Sequence, residues 1–230
     1  MEFKIMQHQN HMMTTVCLSG VLLAASVMPA QAAIIVGGSS LLTETYLSQL
    51  ENQLGEGPIA LTNIFTKSPG ATSVDFHNAV DNKGRTFVVM QAAEDNGNTA
   101  VIGGYNPESW NSVAHTNPSQ TSSFLFNLSD SQFFLQLGAY ITLNQSSYGP
   151  SFGSGYDIFV DSSLNNGYSY LATYTNTSSG NSIIDGSHYN GVNVSYGAME
   201  VFTISQVPVP GAAWLFGSAI LGLLGLKRRG

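Results

Sequence analysis

The sequence predicts a β-rich α+β fold: a two-sheet antiparallel β-sandwich flanked by a few short helices, between an N-terminal signal helix and a C-terminal hydrophobic helix. Three observations carry this. Residues 86–92 (TFVVMQA) and 100–105 (AVIGGY) are β-prone runs joined by Glu94-Asp95-Asn96-Gly97-Asn98, and Gly and Asn tolerate the positive φ that a tight hairpin reversal demands. Beyond Leu128, short aromatic and branched runs at 133–137, 140–144, 157–160, 168–174 and 198–204 alternate with Ser, Asn and Gly clusters. That spacing suits packed antiparallel sheets better than a parallel α/β core. Finally, both ends of the chain carry apolar runs of a different kind, which set residues 33–206 apart as the folding unit.

Taken in order, Lys4 precedes an apolar core at 16–27, and Pro29-Ala30-Gln31-Ala32 closes it with small residues at Ala30 and Ala32. Such a stretch reads as a secretory signal peptide over 1–32, cut after Ala32 so that Ala33 becomes the first residue. A lipoprotein box at Cys17 is excluded, because the apolar core follows that cysteine. Residues 42–54 have helical period, with Leu42, Tyr46, Leu50 and Leu54 on one stripe. Thr43 is the expected N-cap, Glu44 favours the first turn, Leu42 and Leu47 form a staple and Gly55 stops the helix. Residues 59–65 read as a strand and Ser68-Pro69-Gly70 as a turn. Ser73 is placed to cap a short helix carrying Phe76, Ala79 and Val80 on one face, ended by Asn82 and Gly84. The hairpin follows, then a strand at 124–128, then the β runs already named. The loops at 162–167 and 176–190 read as mobile and contain no repeat.

Val207-Pro208-Val209-Pro210 ends the last strand, since proline cannot donate to a ladder. An apolar run at 212–226 and Lys227-Arg228-Arg229 complete the segment 207–230. Its fifteen residues would span roughly 22 Å as a helix, short of a typical hydrocarbon core but able to insert if the cations snorkel. Positive charge at both ends keeps them cytoplasmic and places the middle outside the inner membrane.

The only cysteine, Cys17, lies in the leader, so residues 33–206 can form no disulfide and hold no thiol nucleophile. Across the same span three cations, Lys67, Lys83 and Arg85, face thirteen carboxylates, a net charge of −10. Nucleic acid and anionic lipid would be repelled. A soluble acidic surface and divalent-cation bridging to a matrix are the two readings of that charge.

Gly149-Pro150-Ser151-Phe152-Gly153 matches G-x-S-x-G. A nucleophile elbow needs a strand before the serine and a helix after it. Here a strand follows and Pro150 fixes φ, so Ser151 reads first as a turn residue. His77, His115 and His188 lack metal-ligand spacing, and His77 beside Phe76 is expected to be buried and hydrogen-bonded. Residues 94–98 lack the regular oxygen ligands of an EF-hand loop. Asp157 and Glu200, in expected strands, are the carboxylate pair best placed for chemistry, although such acids also serve as acceptors for backbone N–H groups. Trp110, Tyr105, Tyr168 and Tyr170 could stack on sugars but in a sandwich are core first. No cofactor and no metal site is expected.

The blocks FHNAVDNKGRTFVVM, IGGYNPESW, SSFLFNLSD, YGPSFGSGYDIFVD and MEVFTI occur in this order and span about residues 42–204. Together they resemble the TLD (TLDc) domain of eukaryotic oxidation-resistance proteins and related nuclear-receptor coactivators. The resemblance implies a β-sandwich with a few helices and, as a role, protection against oxidants. The chain departs from it at Tyr156, where the family has a histidine before the aspartate, and at Ser154, where it has glycine. VPVPGAAWLFGSAILGLLGLKRRG resembles the PEP-CTERM sorting signal of Gram-negative bacteria that make an exopolysaccharide matrix. Val209 replaces the glutamate of the P-E-P form, and Trp214 and the basic cluster stand in their usual order. This second resemblance implies exosortase and signal peptidase as processing partners, an extracellular polysaccharide as surroundings and partner, and an inner-membrane stage. The sequence thus points to a non-enzymatic, exported surface or matrix module. Oxidant protection is the alternative, and a surface hydrolase using Ser151 or the Asp157 and Glu200 pair is a third.

Overall fold

A computed structural model describes residues 33–113, 123–154, 156–174, 180–187 and 192–207. Among these residues run β1 (Ile34–Val36), α1 (Glu44–Leu54), β2 (Ile59–Thr66), α2 (Ser73–Val80), β3 (Thr86–Glu94), β4 (Thr99–Asn106), β5 (Phe124–Asn127), β6 (Gln132–Leu135), β7 (Ile158–Val160), β8 (Asn166–Ser169) and β9 (Val192–Gln206). The expected signal peptide with Ala30 and Ala32, the C-terminal hydrophobic helix with Pro208, Val209, Pro210, Trp214, Lys227, Arg228 and Arg229, and the loop histidines His115 and His188 lie outside the described residues. No helix among the described residues is long and apolar enough to cross a membrane.

The local punctuation acts as the sequence predicts at α1. The Thr43 hydroxyl accepts from the Tyr46 N–H at 3.2 Å, and Gly55 takes a left-handed φ of 71° while its N–H reaches Glu51 O. Leu42, Leu47 and Leu50 bury in one cluster. At α2 the cap moves by one residue: Thr72, not Ser73, occupies it, and the Asp75 carboxylate takes the Thr72 N–H and hydroxyl at 2.8 and 2.9 Å. Ser73 points elsewhere, donating to Ser146 O. Asn82 has a φ of 59° and leads the chain out of the helix, its N–H bonded to Trp110 O.

The backbone does not form the expected pair of separate antiparallel sheets. All the strands join one mixed network, in the order β1-β2-β9-β3-β4-β5-β6, with β7 and β8 attached through β9. β1 runs parallel to β2. The reason lies in β9, which begins at Val192, six residues before the run that alternation marks. Opposite Gln91 it carries two residues, Gly197 and Ala198, between the pairs Met90↔Met199 and Ala92↔Tyr196. Such a bulge bends a strand and increases its twist. Before the bulge β9 pairs with β3 and β8; after it, with β3 and β2. The Lys67 ammonium donates to Tyr196 O and Gly197 O at the bulge, and to Leu164 O beyond it.

Alternation along the central strands then buries both faces. Val88, Met90, Ile102, Leu125, Met199 and Val201 pack under α2, Trp110, Phe152 and the β7–β8 hairpin. Phe87, Val89, Tyr105, Phe126, Phe202 and Ile204 pack under α1. Two expected strands are corrected. Residues 140–144 form no strand and keep only the bridge Thr142↔Phe152. The run expected at 168–174 is strand only to Ser169; beyond it Leu171 keeps an isolated bridge to Asn181, and residues 172–174 turn to Asp157.

Candidate functional site

Asp157 is fully buried just before β7. Its Oδ1 accepts from the N–H groups of Ala172, Thr173 and Tyr174, each at 2.8 Å. Those donors are spent on the carboxylate and join no β ladder, so residues 172–174 form no strand. Burial pushes the Asp157 carboxyl up from its usual range, and the backbone donors of Ala172, Tyr174 and Thr173 pull the other way. Gly153 allows the approach, since with its φ of 82° a Cβ there would sit 2.2 Å from Asp157 Oδ2.

Ser151 is also fully buried. Its Oγ donates to Gly149 O and accepts from the Val160 N–H, both at 3.2 Å. Among the described residues no histidine bonds to it, and it ties the turn to β7.

Glu200 is 2% exposed. One carboxylate oxygen accepts from the Ser40 N–H at 2.7 Å and the Ser40 hydroxyl at 2.8 Å, and the other accepts from the Ser39 hydroxyl. Met199 and Val201 enter the core beneath α2, so Glu200 points with Phe202 and Ile204 to the α1 face. Asp157, bonded to the backbone of Tyr174, belongs to the other layer. The sheet separates the two carboxylates, and they form no pair. Replacing Glu200 by alanine strips the 37–42 loop of its anchor. The expected result is a loss of about 2 kcal/mol, with accelerated proteolytic cleavage near Gly37-Gly38.

His77 is 4% exposed, with Nδ1 2.8 Å from Asp81 Oδ1 and Nε2 at 3.1 and 3.2 Å from Gln145 O and Tyr148 O. Carbonyls only accept, so Nε2 donates to them. The expected turn over residues 94–98 is present: Gly97 has a φ of 92°, and Glu94 is held by Ser182 and Asn96. Ala33 is half-buried against the α1 core, and the Val207 N–H bonds to Pro58 O at 3.1 Å.

Two surface features of the described residues stand out. Between the end of α1 and strands β4 to β6 lies a cleft of about 380 Å³ lined by Leu54, Glu56, Tyr105, Phe124, Leu135 and Gln136 among others. Its charged group is already committed, since Glu56 pairs with Arg85 at 2.5 Å and that bond holds the Glu56 carboxyl below its usual range. The second feature is a set of half-buried rings on the outer side of the β7–β8 hairpin. Phe159 lies 5.1 Å from Tyr168 and 5.0 Å from Tyr148, and Tyr156 lies 5.3 and 5.7 Å from Phe159 and Tyr168. Of the sequence-proposed stacking aromatics, Trp110 and Tyr105 are core and Tyr168 is here. Phe159 was legible only by alternation, standing between inward Ile158 and Val160.

A mixed β-sheet core with two helices and these buried anchors describes a β-rich module whose most chemical side chains hold loops. Residues 35–205 match the TLDc domain family, and the chain belongs to that family. No curated protein matches it.

Proposed function

We propose that this TLDc protein is an exported, non-enzymatic module of the cell surface or extracellular matrix. Signal peptidase removes residues 1–32, and exosortase processes the 207–230 segment. One observation supports the non-enzymatic reading above others: Ser151, Asp157 and Glu200 each spend their polar atoms on backbone or serine groups within the fold. The targeting segments supply the export. Only Ser205, Gln206 and Val207 separate the core residue Ile204 from Pro208, so the domain sits close to the membrane until it is processed. The test is mass spectrometry of the chain from envelope and medium of a host containing exosortase. A new N-terminus at Ala33 and a C-terminus within 207–230 are expected; a cytoplasmic chain with its leader intact would overturn the reading.

The family also carries a second reading, protection against oxidants. Direct scavenging by sulfur has little capacity here, because Met90 and Met199, the two methionines of residues 33–206, are both fully buried. Catalytic loss of peroxide in the presence of the purified chain would favour this reading over the first.

A further inference from the structure

Side chains alternate across a strand. In β7, Ile158 and Val160 are fully buried, which turns Phe159 outward; in β8, buried Ser169 leaves Tyr168 on the same outer side. Phe159 and Tyr168 are direct cross-strand partners with ring planes only 34° apart, and the next position across, on β9, is exposed Asn193. Tyr148 and Tyr156 flank the pair edge-on at 69° and 67° to Phe159. Tyr156 reaches its place through a left-handed backbone, φ 61°, that a tyrosine rarely adopts. The result is a tilted aromatic pair bordered by two more rings, with exposed Asn166 and Asn193 on the same outer side.

From this geometry we propose that the Phe159–Tyr168 face binds a neutral polysaccharide. The inference rests on the exported reading above and names its partner. Pyranose rings present faces of C–H bonds with slight positive charge, which suit the negative face of an aromatic ring. Their hydroxyls need amide and phenol partners, which the asparagines and tyrosine hydroxyls provide. The net charge of −10 over residues 33–206 argues against a polyuronate and for an uncharged chain.

The test is affinity electrophoresis of the full chain, held in a detergent without a sugar headgroup. Native gels contain hydroxyethylcellulose, galactomannan, dextran or alginate. Retardation is expected in at least one of the three neutral glycans and not in alginate. F159A and Y168A should each weaken it about tenfold, the size of one lost stacking contact. Y168F, which keeps the ring, should retain most of the binding, and Y46A, on the opposite layer, all of it; thermal melts confirm that each variant is folded. No retardation in any neutral glycan, or equal retardation of wild type and both alanine variants, would overturn the proposal. So would self-association lost in the same variants without glycan binding, which would assign the face to contact between copies. Correct termini without glycan binding would remove this inference alone, whereas an unprocessed cytoplasmic chain would remove the exported reading.

Discussion

Trp110→Ala is expected to cost 3–5 kcal/mol, roughly a 10 °C fall in Tm for a domain of this size. The ring is fully buried where α2 meets the sheet, 5.2 Å from Phe76 and 5.6 Å from Phe152, both edge-on. Truncation leaves a cavity that three packed elements must collapse to fill, and it also removes the Nε1–H donor to Thr86 Oγ1 at 3.0 Å, inside a site that water does not reach. Trp110→Phe separates these contributions, keeping much of the packing while losing the donor, and should cost about 1–2 kcal/mol. Urea unfolding followed by circular dichroism measures both. A loss below about 1 kcal/mol for W110A would mean that α2 is held to the sheet by Phe76 and Val80 alone.

What the sequence made legible follows the range of the forces involved. The cap at Thr43 and the stop at Gly55 are set within four residues of each helix end, and α1 appears where those residues place it. The β3–β4 hairpin is equally local, because Asn96-Gly97 selects the reversal and the flanking runs follow its register. Apart from the one-residue shift of the α2 cap from Ser73 to Thr72, the failures are non-local. Alternation marks 168–174 as strand, but the N–H groups of residues 172–174 bond a carboxylate fifteen or more residues upstream, and no spacing rule names that acceptor. Glycine at 197 hints at a bulge, yet the exchange of β8 for β2 along β9 depends on which strands arrive there. The Asp157 and Glu200 pairing failed likewise: alternation places Glu200 with Phe202, but nothing local says on which side of the sheet Asp157 lies. For the outer aromatic face the period-2 signal in Ile158-Phe159-Val160 was present, and what was missing was the identity of β8 as its partner.

Asp157→Ala should be the most damaging single change in the β7–β8 layer, costing about 3–5 kcal/mol, because three buried backbone donors lose their acceptor together. Asp157→Asn keeps one acceptor oxygen and should cost less, and it makes the charge measurable. Burial holds the wild-type carboxyl above its usual range, so the folded chain takes up this proton more readily than the unfolded chain. The stability that protonation adds is fully present below the unfolded value, near pH 4, and is lost as pH rises through the folded value. D157N cannot titrate at this position, while every other carboxylate is common to both proteins and cancels in the comparison. The stability gap between wild type and D157N should therefore be widest near pH 4 and narrow toward neutrality, as read by urea unfolding across that window. A gap that widened toward neutral pH would mean that the N–H donors outweigh burial and hold the carboxylate charged. Asp157 would then act as a buried anion that organises residues 172–174 by its charge, rather than as an acceptor tolerated in spite of it.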